Sequence, residues 1–203
     1  MKTVISKTNT KLSGQIPSVN LPAIKTCRHD APCAHLCYAT RGNFTFPNVK
    51  KSHLDNLAHF IAHPDAYFND IIAELSGLVT YKYFRWHSSG DIVNADYLRG
   101  MVKVAKKLKS IKFLCFTKKF EIINNYLASG EKLPKNLKIV FSAWDKNFKV
   151  DNPFNLPMTY VYFKDKKMNP EIPELSIPCV GKCFECQACW TLKPGQSVVF
   201  HQH

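Results

Sequence analysis

The 203-residue sequence has no run that approaches the roughly 20 apolar residues needed to cross a bilayer. Its first residues, MKTVISKTNTKLSG, lack the apolar stretch of a secretory signal. It also contains no low-complexity tract, and apolar residues make up 45% of the composition, which favours a folded chain over a disordered one. These absences predict a cytoplasmic protein with no membrane partner.

Acidic residues are scarce, since 15 Asp and Glu stand against 28 Lys and Arg, for a formal charge of +13. The basic excess runs along the whole chain without forming one tail. DNA or RNA is therefore a candidate partner, because such a field attracts phosphates before any specific contact forms. A solvated, lysine-rich surface would account for the same charge, and nothing in the sequence indicates an oligomeric state.

Apolar spacing predicts a short strand within residues 16–24, two helices at 54–61 and 64–75, and then alternating strands and helices. The later strands are predicted at 79–86, 111–116, 137–142 and 158–163, and the helices between the first three at 97–108 and 120–127. This order predicts an α/β fold, a partial (β/α) barrel-like, mainly parallel sheet with right-handed crossovers. The core is predicted to span residues 1–170 and to carry a three-cysteine loop, and residues 171–203 form a small cysteine-rich segment.

Polar residues follow each predicted strand, at 87–91, 117–119, 142–145 and 164–165. Because ligands of parallel α/β sheets bind at the carboxyl ends of the strands, these loops predict a binding site at one edge. His87 is a candidate for this site or for a structural hydrogen bond. The histidines of the preceding helices, His53, His59 and His63, are predicted to lie on helix surfaces.

The first cysteine group is Cys27, Cys33 and Cys37, spaced C-x5-C-x3-C. In a reducing compartment, clustered cysteines indicate metal or iron–sulfur ligation rather than disulfides. Three thiolates can hold three irons of a 4Fe–4S cluster and leave the fourth iron open to an added ligand. Structural zinc is the alternative, with His29 or His35 available as a fourth ligand.

The second cysteine group is Cys179, Cys183, Cys186 and Cys189, spaced C-x3-C-x2-C-x2-C. Four thiolates within eleven residues can saturate a second 4Fe–4S cluster or a zinc ion, and this close spacing is more typical of ferredoxins than of zinc ribbons. Cys115 stands alone in an apolar stretch and is predicted to be a buried residue outside the site.

Most of the chain resembles the gene product 88 family of phages and mobile elements, a resemblance that implies little chemistry. The matching stretches are IPSVNLPAIKTCRHDAPCAHLCYAT, YKYFRWHSSGDIV, KFLCFTKKFEIIN, LKIVFSAW and CFECQACW.

More distantly, the order of elements resembles a shortened radical S-adenosylmethionine (SAM) enzyme. In that superfamily, three cysteines after the first strand bind a 4Fe–4S cluster whose open iron binds SAM, with a usual spacing of C-x3-C-x2-C that differs from the spacing here. The resemblance implies that the first cysteine group binds this cluster and that the second forms an auxiliary one. It also implies SAM-binding roles for Ser88, Ser89, Gly90, Asp91, Thr117, Lys118 and Ser142.

Three functions remain open at this point. The first is a radical SAM-like enzyme acting on a nucleic acid or nucleotide, and the second is a non-catalytic iron–sulfur protein that binds DNA, RNA or a host complex. The aromatic and basic stretches 81–86 and 116–120 motivate the second, because rings beside cations stack with bases. The third is a zinc protein in which both cysteine groups only hold the fold.

Overall fold

The computed structural model describes residues 2–7, 9, 12, 14–77 and 81–202. These residues form one sheet in the order β1-β2-β3-β4-β5-β6-β8-β7. Within it, β1 runs antiparallel to β2, and every later pair of neighbours is parallel. The strands are β1 Ile5–Ser6, β2 Ser18–Val19, β3 Tyr83–Trp86, β4 Lys112–Thr117, β5 Leu137–Ser142, β6 Met158–Tyr162, β7 Ile177–Pro178 and β8 Ser197–His201.

Four longer helices and two single-turn helices accompany the sheet. Proline occupies the first position of both α1 and α2, where its missing N–H has no helical partner to lose. Asn94 caps α3, since its Oδ1 accepts a hydrogen bond from the Tyr97 N–H at 2.9 Å. The helices are α1 Pro47–Ala62, α2 Pro64–Ser76, α3 Ala95–Lys107, α4 Phe120–Ala128, α5 Cys183–Cys186 and α6 Ala188–Thr191. No helix in the described residues is both long and apolar enough to span a membrane.

The four longer helices cover one face of the sheet, here called the outer face. Successive side chains of a strand point to opposite faces, and the outer set packs with α1–α4 into the main core. This set includes Phe84, Trp86, Phe113, Cys115, Ile139 and Phe141. Strands β2 to β6 follow chain order across the sheet, and their helices lie on one side of it. This is the arrangement of a (β/α) barrel that does not close. The predicted fold class is confirmed.

The opposite face, here called the inner face, is covered by the cysteine-rich segment. Because β7 and β8 are parallel neighbours, the chain between them has to return across the sheet. Trp190 and Leu192 of this connection pack against Leu114 and Val140, and Trp190 Nε1 donates a hydrogen bond to the Phe84 carbonyl at 3.2 Å. The second cysteine group therefore lies over the inner face.

Most predicted elements are present, with differences at the ends of the chain. The strand predicted at 79–86 begins at Tyr83, and residues 78–80 lie outside the described residues. Strands β7 and β8 were not predicted, and β8 includes His201; His203 lies outside the described residues. The predicted domain boundary at residue 170 stays a prediction.

The surface placement of two histidines is wrong. His53 and His59 are 7% and 2% exposed, because α1 is covered by neighbouring segments on more than one side. The chain preceding β1 lies against it, and the Thr3 hydroxyl is 3.2 Å from His59 Nδ1.

Candidate functional site

The carboxyl ends of β2, β3, β4 and β5 lie side by side and place the predicted polar residues along one edge. Asn20, which the sequence analysis did not single out, joins the first two ends. Its Oδ1 accepts hydrogen bonds from the backbone N–H groups of Ser88, at 2.7 Å, and Ser89, at 3.2 Å. The Ser89 hydroxyl donates to the Leu21 carbonyl at 2.9 Å. The loop after β3 is thereby fixed against the chain that leads into the first cysteine group.

Gly90 is a point of close approach between these two segments. It has a φ of +82°, and a Cβ there would lie 2.6 Å from Thr26 Oγ1 and 2.8 Å from the Leu21 carbonyl oxygen. Only glycine has both the conformation and the space for this contact. Since Thr26 directly precedes Cys27, Gly90 sets how near the first cysteine group approaches the edge.

Asp91 connects three segments at the same edge. Its backbone N–H donates to Thr26 Oγ1 at 3.1 Å, and its Oδ2 accepts from the Lys118 backbone N–H at 3.0 Å. Burial raises the pKa of the Asp91 carboxyl, while the hydrogen bonds that it accepts oppose this rise. Asp91 thus ties the cysteine loop to the ends of both β3 and β4.

Lys118 and Ser142 form the more open part of the edge. Lys118 Nζ donates to Ser142 Oγ at 2.9 Å and lies 5.6 Å from the centre of the Trp144 ring. Thr117 is buried, and its Oγ1 accepts from the Lys119 N–H at 3.0 Å. The seven predicted residues therefore share one edge, but Ser89, Gly90, Asp91 and Thr117 serve internal contacts. Their predicted role in binding a cofactor is untested.

His87 points away from this edge and into the outer-face core. Its Nε2 is 3.0 Å from the Tyr97 hydroxyl, which is 2.8 Å from the Tyr67 hydroxyl. Cys115 Sγ lies 3.9 Å from His87 Nδ1. Burial lowers the pKa of His87 to about 3, so the ring is neutral at physiological pH. His87 therefore has the structural hydrogen bond that was the alternative to a role in the binding site. Cys115 is buried, as predicted.

The first cysteine group lies in a loop of short 3-10 turns after β2. Burial, followed by the negative charge of Asp91, raises the pKa of the Cys27 thiol to about 11, and Cys33 and Cys37 add to this rise. Burial also raises the pKa of Cys37, whereas the positive charge of Lys118 lowers it. The three thiols thus share one locality beside the edge, with a cation near them.

The second cysteine group lies partly against the inner face. Cys179, Cys183 and Cys189 contact the apolar cluster around Trp190, and Cys186 is exposed. Burial raises the pKa of Cys189 to about 12, and Arg85 is the cation that opposes this rise. The other three cysteines also affect Cys189, so the four thiols form a local group.

The arrangement of donors bears on what each group can bind. In the described part of the chain, no disulfide involves these cysteines. Nor do any three histidine, cysteine or carboxylate side chains of that part converge tightly enough to hold one metal ion. Both cysteine groups therefore stay metal sites predicted from their spacing in the sequence.

The fold and the two cysteine groups define a cysteine-rich α/β protein whose described residues form an open, mainly parallel sheet. The chain belongs to the gene product 88 family, whose model matches residues 2–192. No curated protein and no solved structure matches the chain. The resemblance to gene product 88 is thereby confirmed, and the resemblance to radical SAM enzymes stays a prediction.

Proposed function

We propose that the protein is an iron–sulfur protein in which Cys27, Cys33 and Cys37 hold a 4Fe–4S cluster with one iron open to an added ligand. We further propose that this ligand is SAM, bound at the carboxyl edge of the sheet. When bound and reduced, such a cluster supplies the electron that cleaves SAM to methionine and a 5′-deoxyadenosyl radical. The residues of this chain would position the cluster, bind the ligand and exclude water.

The observation that carries the proposal is the attachment of the cysteine loop to the edge of a parallel sheet. Gly90 and Asp91 hold Thr26 against the loop after β3, and the Asp91 carboxylate continues the contact to Lys118. Second-sphere hydrogen bonds of this kind orient ligands before a metal centre forms. Lys118, whose charge lowers the pKa of Cys37, and its hydrogen-bond partner Ser142 are polar side chains at the more open part of this edge.

The second cysteine group is proposed to hold a further 4Fe–4S cluster. Its four thiolates leave no open iron, which suits a structural or electron-transfer role rather than substrate binding. Its contacts with Trp190 and the inner face would couple cluster binding to the folding of the C-terminal segment. Zinc at this group is the alternative, and the close C-x3-C-x2-C-x2-C spacing, which is more typical of ferredoxins than of zinc ribbons, favours the cluster.

Binding of DNA or RNA without catalysis is the second candidate function, supported by a basic groove rather than by the stretches noted in the sequence. Phe84, Trp86 and Phe120 of those stretches are buried, so they are not available to stack with bases. Instead, a groove between α2, α3 and α4 carries four cations on α3. They are Arg99, Lys103, Lys106 and Lys107, of which Arg99 and Lys103 pair with Asp96 and Asp65, and Glu131 also lines the groove. The remaining positive charge suits a phosphate backbone.

The first experiment measures iron, acid-labile sulfide and zinc per chain in anaerobically purified protein. Two 4Fe–4S clusters predict about eight irons and eight sulfides. Cys33→Ser should remove about four irons, whereas Cys115→Ala, which deletes a cysteine outside both groups, should keep the full content. Zinc without sulfide would refute the proposal.

The second experiment tests SAM. Reduced protein should convert SAM to 5′-deoxyadenosine, slowly even without a substrate, and Cys33→Ser should abolish this product while Cys115→Ala retains it. Full cluster content with neither 5′-deoxyadenosine nor SAM binding would leave an iron–sulfur protein and reject the SAM proposal. Salt-dependent retention of DNA or RNA, weakened by Lys103→Gln and Lys106→Gln together, would then favour the second candidate.

A further inference from the structure

Arg85 forms no ion pair with a carboxylate among the described residues. Its Nε atom is buried without a hydrogen-bond acceptor. Arg28 and Arg99, in contrast, pair with carboxylates. A guanidinium stays charged and has five N–H donors, and such groups are rarely buried without a counter-charge or acceptor. The arrangement of Arg85 therefore lacks an anion.

Arg85 lies on the inner face near the middle of the sheet. It is opposite Leu114 in the pairing of β3 with β4, and its guanidinium carbon is 4.7 Å from the centre of the Phe116 ring. The Phe116 ring attracts the cation but accepts none of its N–H hydrogen bonds in the plane of the guanidinium. Arg85 and Phe116 are both only half-buried, so part of each side chain is open to solvent although Arg85 Nε itself is buried.

A second buried polar group follows the same strand. Ser88 is 3% exposed, and its hydroxyl has no hydrogen-bond partner among the described residues. Tyr38 connects it with Arg85, because the Tyr38 hydroxyl donates to the Ser88 carbonyl at 2.6 Å. Burial raises the pKa of Tyr38, and the charge of Arg85 opposes that rise. Arg85 and Ser88 thus flank the same tyrosine.

This place lies between the two cysteine groups. Tyr38 directly follows Cys37 of the first group. On the other side, Arg85 is the cation that opposes the raised pKa of Cys189 in the second group.

We propose that Arg85 and Ser88 bind an oxyanion, the phosphate or carboxylate group of a small-molecule ligand, on the inner face between the two cysteine groups. The planar fork of arginine matches either group with two parallel hydrogen bonds, and the serine hydroxyl supplies a third donor. Tyr38 and Phe116 form the walls. The proposal does not depend on what the cysteines bind, although a ligand here would lie next to both groups.

Titration calorimetry at low ionic strength tests this site, with inorganic pyrophosphate and citrate as probes and the anaerobically purified protein as receptor. Saturable binding of pyrophosphate assigns the site to phosphates, and saturable binding of citrate assigns it to carboxylates. Arg85→Gln should weaken binding by at least about tenfold, since it removes a charge-assisted bidentate contact. The affinity of Arg85→Lys should lie between those of the parent and Arg85→Gln. Ser88→Ala should weaken binding severalfold.

Lys112→Gln is the matched control. Lys112 lies at the other end of β4 with its Nζ 5.7 Å from the centre of the Tyr83 ring, so it has the same cation-over-ring arrangement away from Ser88. This variant should bind within about twofold of the parent. An equal loss in Lys112→Gln and Arg85→Gln would show nonspecific attraction and overturn the proposal.

Two other results would also overturn it. One is that neither probe binds saturably. The other is that Arg85→Gln and Ser88→Ala, both folded by melting temperature, bind as the parent does. A shift in the midpoint potential of an iron centre in Arg85→Gln, with no probe bound by the parent, would assign Arg85 to that centre instead. The iron content separately tests the proposed cluster, so the two proposals fail independently.

Discussion

Replacing Gly90 with alanine tests whether the attachment of the cysteine loop is as tight as the structure indicates. The new Cβ would meet Thr26 Oγ1 at 2.6 Å and both Cβ and O of Leu21 at 2.8 Å. Two of these atoms belong to well-fixed parts, since Leu21 is buried and its N–H donates to the Ser89 carbonyl at 3.0 Å. The chain leading to Cys27 must therefore move.

Two effects set the size of the change in stability. An alanine at a φ of +82° is strained by about 1–2 kcal/mol, and overpacking in a fixed environment adds about 1–3 kcal/mol. Gly90→Ala should thus lower the free energy of unfolding by about 2–5 kcal/mol. For a chain of this length, that corresponds to a fall in melting temperature on the order of 5–20 °C.

Gly130→Ala provides the matched control. Gly130 has a φ of +86°, but a Cβ there has no neighbour within 4 Å, so only the backbone strain applies. Urea unfolding of both variants should show that Gly90→Ala is the less stable by about 1–3 kcal/mol. Gly90→Ala should also retain less iron at the first cysteine group. Equal stability of the two variants would refute the argument that the loop is held by close contact at Gly90.

Three further predictions follow from other contacts. Asn20→Ala leaves two buried N–H groups of the loop after β3 without an acceptor. Urea titrations should show a free energy of unfolding lower by about 2–4 kcal/mol. A change below about 0.5 kcal/mol would contradict the role of Asn20 in holding this loop. Burial lowers the pKa of His87 to about 3 from 6.5, so between these two pH values the unfolded chain binds a proton at His87 that the folded chain does not bind. The free energy of unfolding should therefore fall as the pH decreases from 6.5 to about 3, by up to about 1.4 kcal/mol per pH unit. His87→Gln should reduce this pH dependence, and an unchanged pH dependence would point to other groups. Cys186→Ser should lower the melting temperature of the metal-loaded protein, because metal binding contributes to folding. The difference in melting temperature between variant and parent should vanish after chelation of the metal. A difference that persists would indicate that Cys186 stabilises the fold by packing instead.

The central part of the fold could be predicted because its patterns are long. Strand β5 has the bounds expected from its alternating apolar residues, and α2 and α4 follow from apolar spacing with Gly77 and Gly130 near their ends. Strands β1 and β7 have two residues each, which is too short for any periodicity. Strand β8 is largely apolar but was not predicted, since its place between β6 and β7 depends on contacts distant in sequence.

The candidate site was predicted in part for the same reason. The chain order of parallel strands places Ser88, Asp91, Lys118 and Ser142 at one edge, and this follows from the alternation of strands and helices alone. Asn20 carries no local signal, because a lone amide is informative only once the end of β3 is beside it. The position of Arg85 could have been predicted from the sequence. Its neighbours Phe84 and Trp86 are apolar, so strand alternation puts them on one face of the sheet and Arg85 on the opposite face.

The position of β8 between β6 and β7 determines the order in which the protein assembles. Strand β7 has no neighbour in the described sheet except β8, so it is joined to the rest of the sheet only once Ser197–His201 is paired with β6. The second cysteine group lies in the connection between these two strands, and its thiols are brought together by the same event. Parallel pairing over such separations is slow compared with local folding, so these thiols remain exposed to oxidants until the end of folding. If this group holds the proposed cluster, loading is consequently a late step, and its yield depends on keeping the newly made chain reduced.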